Sequence, residues 1–163
     1  MTRYIPPALK GTITAILMIG LVLYIYFNEA KVNPNLQYLI YVIYAAGVIW
    51  TMLTYRRSVL FTGTFGGLFG QGFRCFIIVT IIMVAFTAIF SLTHPEFADK
   101  EAKAYREILL KEKSFTPVEI EQEVESRKKQ YTLVLVYGSI IGYLIIGAGV
   151  TALGSALLTR RIK

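Results

Sequence analysis

The sequence predicts an all-α integral membrane protein: a four-helix bundle with a helical hairpin extension between helices 3 and 4. The first observation behind this is a set of four apolar runs, at residues 7–27, 36–55, 73–92 and 131–158. A membrane-crossing helix needs roughly 20 apolar residues to span about 30 Å of hydrocarbon, and each run meets that length. The second is composition. A hydrophobic content of 55% and a mean hydropathy of +0.57 exclude an ordinary soluble domain, and 163 residues leave room for a single one. The third is the segregation of charge. With the four runs taken as spans, one side carries Arg3, Lys10, Arg56, Arg57, Arg74, Arg160, Arg161 and Lys163 with no acid, and the other carries nine bases and all ten acids.

That asymmetry orients the chain. Lys and Arg close to span ends favour the cytoplasmic side. Arg56 and Arg57 abut a span, as do Arg160 and Arg161, whereas most bases of the 93–130 connection lie farther from a membrane end. Both termini are therefore expected in the cytoplasm. Arg56, Arg57, Arg74, Arg160 and Arg161 are expected at the lipid headgroups, where they attract anionic lipid. The net charge of +7 is thus read as topology, with membrane lipids as partners and no nucleic acid.

The first run opens at Pro6-Pro7: an extended approach, then a proline in the first helical turn, where a missing N–H costs nothing. Lys10 falls in that opening turn and is expected to snorkel outward. The run is longer than a signal-peptide core, and Asn28-Glu29-Ala30 lacks the small residue expected two places before a cleavage site, so a retained helix is expected. Residues 28–35, with Asn33-Pro34-Asn35 as breaker, form a tight turn that makes helices 1 and 2 antiparallel neighbours. Tyr38, Tyr41 and Tyr44 at the outer end of the second run, and Trp50 and Tyr55 at its inner end, fit aromatic belts; a tyrosine-lined ligand pocket is the alternative. Five glycines then fall within residues 63–72, interleaved with Phe and Leu. A phosphate-binding loop needs Lys-Ser/Thr after its last glycine, and Phe73-Arg74 stands there instead. An interfacial segment or a small hinge is expected. Cys75 reads as a small buried hydrophobe, and a single cysteine excludes an intrachain disulfide.

Residues 93–130 are the one sizeable water-soluble piece. His94-Pro95 closes the third span. Ala98, Ala102, Tyr105 and Leu109, with Ile108 beside them, form one stripe at helical spacing, and Ile120, Val124 and Tyr131 form another. Lys113-Ser114-Phe115 makes the joint. Thr116-Pro117-Val118-Glu119 is a helix start, with Thr at the N-cap, Pro first and Glu third to close a capping box. Glu123/Arg127 and Glu125/Lys129 are i, i+4 pairs in the favourable orientation. No breaker lies between Pro117 and Gly138, so this helix is expected to run on into the fourth span. The two stripes are expected to face each other, and Tyr105, Ile108, Leu109, Ile120 and Val124 are the candidate partner-binding residues.

On the fourth span Gly138, Gly142, Gly149, Ala152 and Ala156 share a helical face with Ile145. In lipid, helices associate by close backbone approach, which small residues permit. This face is the expected packing hub, and Gly142→Leu or Gly149→Leu is expected to disrupt the bundle.

No ionisable residue lies in the middle of a span, which counts against a proton-coupled transporter. His94 is expected as an interfacial or capping residue, because a general base also needs a positioned nucleophile. One His and one Cys give no ligand cluster. No enzyme activity, catalytic residue, metal or cofactor is expected. Tyr55-Arg56-Arg57 is followed by Gly63-Thr64-Phe65-Gly66, by Phe69-Gly70-Gln71-Gly72-Phe73-Arg74, and by a span ending His94-Pro95-Glu96. This order resembles an uncharacterised four-helix membrane family of Bacteroidota, and residues 149–158 followed by Thr159, Arg160 and Arg161 are similar to that family's closing segment. The resemblance implies a bacterial inner membrane, with the long loop in the periplasm, and carries no assigned activity. The expected function is that of an accessory, scaffold or assembly subunit. A protein partner or a second copy would be held by the periplasmic hairpin and the small-residue helix faces. A transporter or channel component is the alternative.

Overall fold

The computed structural model describes residues 5–28, 34–112 and 115–160. Among them are five α-helices and no strand: α1 (Pro7–Phe27), α2 (Gln37–Arg56), α3 (Phe65–Thr93), α4 (Glu96–Glu112) and α5 (Pro117–Arg160), with a 3-10 turn at Pro34–Leu36 before α2. α1, α2, α3 and α5 are each long and apolar enough to cross a membrane. The expected turn at 28–35 and joint at 113–115 fall, for residues 29–33 and 113–114, outside the described residues. The chain forms two compact units, Met1–Met83 with Ile140–Lys163 and Val84–Ser139, so α3 and α5 each contribute to both.

The first unit is a four-helix bundle whose contacts are set by glycine. α1 and α2 pack together, as a short connection requires. A Cβ on Gly47 would collide with Thr14, and Ala15 and Met18 are fully buried. Gly11 brings α1 onto α3, where an added Cβ would lie 2.8 Å from the Cys75 carbonyl oxygen and 3.1 Å from Ile78 Cβ. Gly72 brings α3 onto α5, its would-be Cβ 2.7 Å from Thr151 Cγ2. Gly147 and Gly154 bring α5 onto α2, against the Tyr44 hydroxyl and the Met52 methyl. Lipid tails are as apolar as the side chains, so contact between helices rests on dispersion, and dispersion needs atoms in touch. The core enclosed in this way includes Tyr44, Val48, Met52, Leu68, Val79 and Met83.

α3 begins two turns before the apolar run does. Residues 65–72 are helix, where the sequence suggested a surface segment or hinge. Gly63, at a φ of 72°, turns the chain, and the Thr64 hydroxyl then caps the helix by accepting the Gly67 N–H at 3.1 Å. Each glycine inside a helix costs about 1 kcal/mol relative to alanine. Against that, Phe65, Phe69 and Phe73 recur every fourth residue and stack, with centroids 5.8 and 6.2 Å apart, and Phe73 meets Phe76 edge-on at 5.1 Å. The stack and the tight seat of Gly72 offset much of the poor propensity.

In the second unit α3 ends at Thr93. His94 Nδ1 hydrogen-bonds the Phe90 carbonyl at 3.0 Å, and its ring stacks on Phe90 at 4.2 Å. It is a capping residue, as its place beside Pro95 suggested. α5 runs without interruption for 44 residues, as the missing breaker predicts.

Candidate functional site

α4 and the start of α5 zip along the two apolar stripes. Ala102, Leu109 and Ile120 are buried in the seam, and Ala98, Tyr105, Val124 and Tyr131 are half-buried along it. Ion pairs cross the seam between Arg106 and Glu121, between Lys128 and Asp99, and between Arg127 and Glu101 at 3.7 Å. Arg127 turns to α4 instead of to Glu123, because there it finds both a carboxylate and the face of Tyr105, 4.8 Å from its guanidinium carbon. The expected Glu125–Lys129 pair forms at 2.8 Å. Exposed pairs of this kind contribute little each, so the buried seam does most of the stabilising.

The capping box closes as its spacing predicts. The Thr116 amide and hydroxyl donate to the Glu119 carboxylate at 2.7 and 2.8 Å, and the Glu119 N–H donates to the Thr116 hydroxyl at 3.4 Å. The backbone donation first, then that of the hydroxyl, holds the Glu119 carboxyl below its ordinary value of 4.5. A depressed carboxyl stabilises the fold fully above its unfolded value, and that contribution is lost as pH falls through the lower folded value. Thr116→Ala should cost about 1 kcal/mol of local stability. It would be read at neutral pH as reduced amide-exchange protection over residues 117–121, and acidification below about pH 4 should bring the wild type toward the variant.

The candidate partner-binding residues divide. Leu109 and Ile120 are used up by the seam, and Tyr105 and Val124 are partly covered by it, while Ile108 stays 52% exposed. The end of the hairpin also displays Leu110, Phe115 and Val118, which sequence reasoning did not single out. A groove of about 180 Å³ runs beside them, floored by Leu109, Leu110, Phe115 and Ile120 and flanked by Arg106 and Glu121.

Inside the bundle of the first unit lies a set of polar side chains. Lys10 does not snorkel outward: it is 1% exposed, with its ammonium 5.5 Å from the Trp50 ring centroid. The close approach of α1 to α3 at Gly11 carries the neighbouring lysine stem in between the helices. The Cys75 thiol donates to the Gly47 carbonyl at 3.8 Å, and the Thr51 hydroxyl donates to the same oxygen at 3.0 Å. Cys75 is fully buried, as expected. Thr151 is fully buried too, and its hydroxyl has no hydrogen-bond partner among the described residues. Tyr44, expected in the outer belt, turns inward. Its hydroxyl donates to the Tyr143 carbonyl at 3.0 Å and lies 3.4 Å from that of Thr80. Tyr38 and Tyr41 remain exposed and, with Ile40 and Tyr143, border a depression of about 360 Å³.

The face of α5 that packs within the chain is not the one predicted. Gly138, Gly142 and Gly149 have nothing within 4 Å of where a Cβ would stand, and Ala152 and Ala156 are half-buried. The buried face is Gly147, Thr151 and Ser155. At 3.6 residues per turn Gly149 lies roughly 200° round from Gly147. Both faces offer small residues at i, i+4, and Thr151 and Ser155 hid the second ladder by looking polar. Of the expected headgroup arginines, Arg57 and Arg74 are exposed and Arg56 is half-buried; the Arg160 side chain and Arg161 lie outside the described residues.

A chain that satisfies its backbone in four long apolar helices, and keeps carboxylates out of their apolar stretches, has the make-up of a multi-pass α-helical membrane protein. It belongs to the family described as Protein of unknown function (DUF4199), whose model matches residues 9–161. Neither a curated protein nor a solved structure matches it.

Proposed function

We propose that this protein is a non-enzymatic accessory or scaffold subunit of a bacterial inner membrane, of the Bacteroidota type. In this reading both termini are cytoplasmic and the hairpin stands in the periplasm. The observation that carries it is the display of Ile108, Leu110, Phe115 and Val118 at the end of a hairpin that is otherwise charged and closed on itself. Apolar surface left in water forgoes about 25 cal/mol per Å², which a partner protein or second copy covering the tip would recover. A hairpin ordered in advance by its seam and cap also lowers the entropic cost of binding. The acid-free side supports the orientation. The outward Gly138, Gly142 and Gly149 leave room for another helix in the bilayer.

Affinity purification from native membranes, read by mass spectrometry, should recover one protein in near-stoichiometric amount with the wild type. Ile108→Asp combined with Val118→Asp should lose it while insertion and hairpin exchange protection persist. In a Cys75→Ser background, Lys103→Cys, exposed on α4 away from the tip, should react with a membrane-impermeant maleimide added to spheroplasts. Retention of the partner by the double variant, or labelling only after lysis, would sink the reading.

A transporter or channel component is the second reading, and Lys10 favours it, since charge buried within membrane helices often marks an ion or substrate path. It ranks lower because α1, α2 and α3 contain no Asp or Glu to relay a proton. Substrate flux in proteoliposomes that disappears in Lys10→Met would reverse the order.

A further inference from the structure

We infer that the base of the hairpin holds the headgroup of one zwitterionic phospholipid, its phosphate against Arg127 and its primary ammonium against Glu101. A depression of about 240 Å³ there is lined by Glu101, Arg127, Tyr131, Val134 and Leu135. Along α5 the lining passes from charged at Arg127 to phenolic at Tyr131, then to apolar at Val134 and Leu135, both exposed. Tyr131 opens the stretch of residues 131–158 that carries no formal charge, which sets the headgroup layer at this level. A lipid arriving sideways in the leaflet meets the charged end with its headgroup and the apolar end with its acyl chain.

Arg127 and Glu101 are arranged to take opposite charges from one ligand. Their 3.7 Å separation exceeds the roughly 2.7–3.2 Å of a hydrogen bond, so each keeps hydrogen-bonding capacity for a third group. Both side chains are about half exposed. The Tyr105 ring, its centroid 4.8 Å from the guanidinium carbon, helps hold the side chain in place without using its donors. A planar fork held in this way suits bidentate recognition of a phosphate. The Glu101 carboxylate can accept the N–H groups of a primary ammonium, whereas a trimethylated ammonium has none to give. A glycerol headgroup brings phosphate without a cation, and its net negative charge faces Glu101. The chemistry therefore selects phosphatidylethanolamine over phosphatidylcholine and phosphatidylglycerol. It does not depend on what the hairpin tip binds.

The test is native mass spectrometry of the full-length protein released from nanodiscs containing the three lipids in equal amounts. The wild type should retain phosphatidylethanolamine with about tenfold preference over phosphatidylglycerol, the worth of one hydrogen bond between charged groups. Glu101→Gln should remove the preference while leaving lipid bound, and Arg127→Gln should lower retention of all three. Asp99→Asn, which deletes the neighbouring pair with Lys128, should leave the preference unchanged. Amide exchange over residues 117–130 checks that each variant keeps its hairpin. An unselective wild type, a preference surviving in Glu101→Gln, or an equal loss in Asp99→Asn would each overturn the assignment.

Discussion

Gly147→Leu should unfold the bundle at temperatures where Gly142→Leu and Gly149→Leu remain folded. A Cβ at position 147 already collides with the Tyr44 hydroxyl and stands 2.8 Å from two Phe76 ring carbons, and leucine adds three carbons beyond it. Overpacking a closed core costs about 1–3 kcal/mol even for a few methylenes. Tyr44 is fully buried, and its retreat would take its hydroxyl off the Tyr143 carbonyl, adding about 1–3 kcal/mol if that buried donor is left unpaired. At positions 142 and 149 nothing stands within 4 Å, and replacing glycine there recovers up to about 1 kcal/mol of helix propensity. Thermal unfolding in detergent, followed through the single Trp50, reads the difference directly. Equal melting of all three variants would remove the Gly147 contact from the account. A loss confined to 142 and 149 would mean that their face is covered by another chain.

The second large effect falls on two adjacent residues of α4. Leu109→Asp should unzip the hairpin, and Ile108→Asp should leave it closed. Leu109 is 3% exposed and Ile108 52%. Deleting a buried leucine costs about 2–5 kcal/mol, and a carboxylate placed in the seam adds the penalty of an unpaired buried charge. A 17-residue α4, held to α5 along one narrow seam, has little stability in reserve. Hydrogen exchange over residues 96–130 should therefore lose at least about a hundredfold in protection for Leu109→Asp, at tenfold per 1.4 kcal/mol. Comparable protection in the two variants would mean that the stripes do not close on each other.

What could be read from the sequence was what local physics decides. The spans follow from apolar length. The Thr116–Glu119 box needs residues only three apart, and the hairpin seam follows from a 3.6-residue period against water. The rotation of α5 was not legible in the same way. A helix between water and a core shows which side is apolar, but a helix in lipid is apolar all round, and small residues on two faces leave the choice to the neighbours. The early start of α3 did leave a trace, a capping threonine at 64 followed by phenylalanine every fourth residue, though five glycines masked it. The inward turn of Tyr44 depends on a gap opened by Gly147, far along the chain, and that of Lys10 on which helix its neighbour Gly11 comes to meet.

The burial of Lys10 also bears on the order of assembly. A chain is made from its N-terminal end, so α1 is synthesised before α2 and α3. At that moment neither Trp50 nor Cys75 stands beside the lysine, and its four-carbon stem reaches the headgroup layer, where a lone ammonium is least costly. The outward lysine that the sequence suggests is thus the arrangement that suits α1 by itself. Its withdrawal between the helices waits for its neighbours to arrive. For α1, the buried position of Lys10 exists only once α2 and α3 are in place.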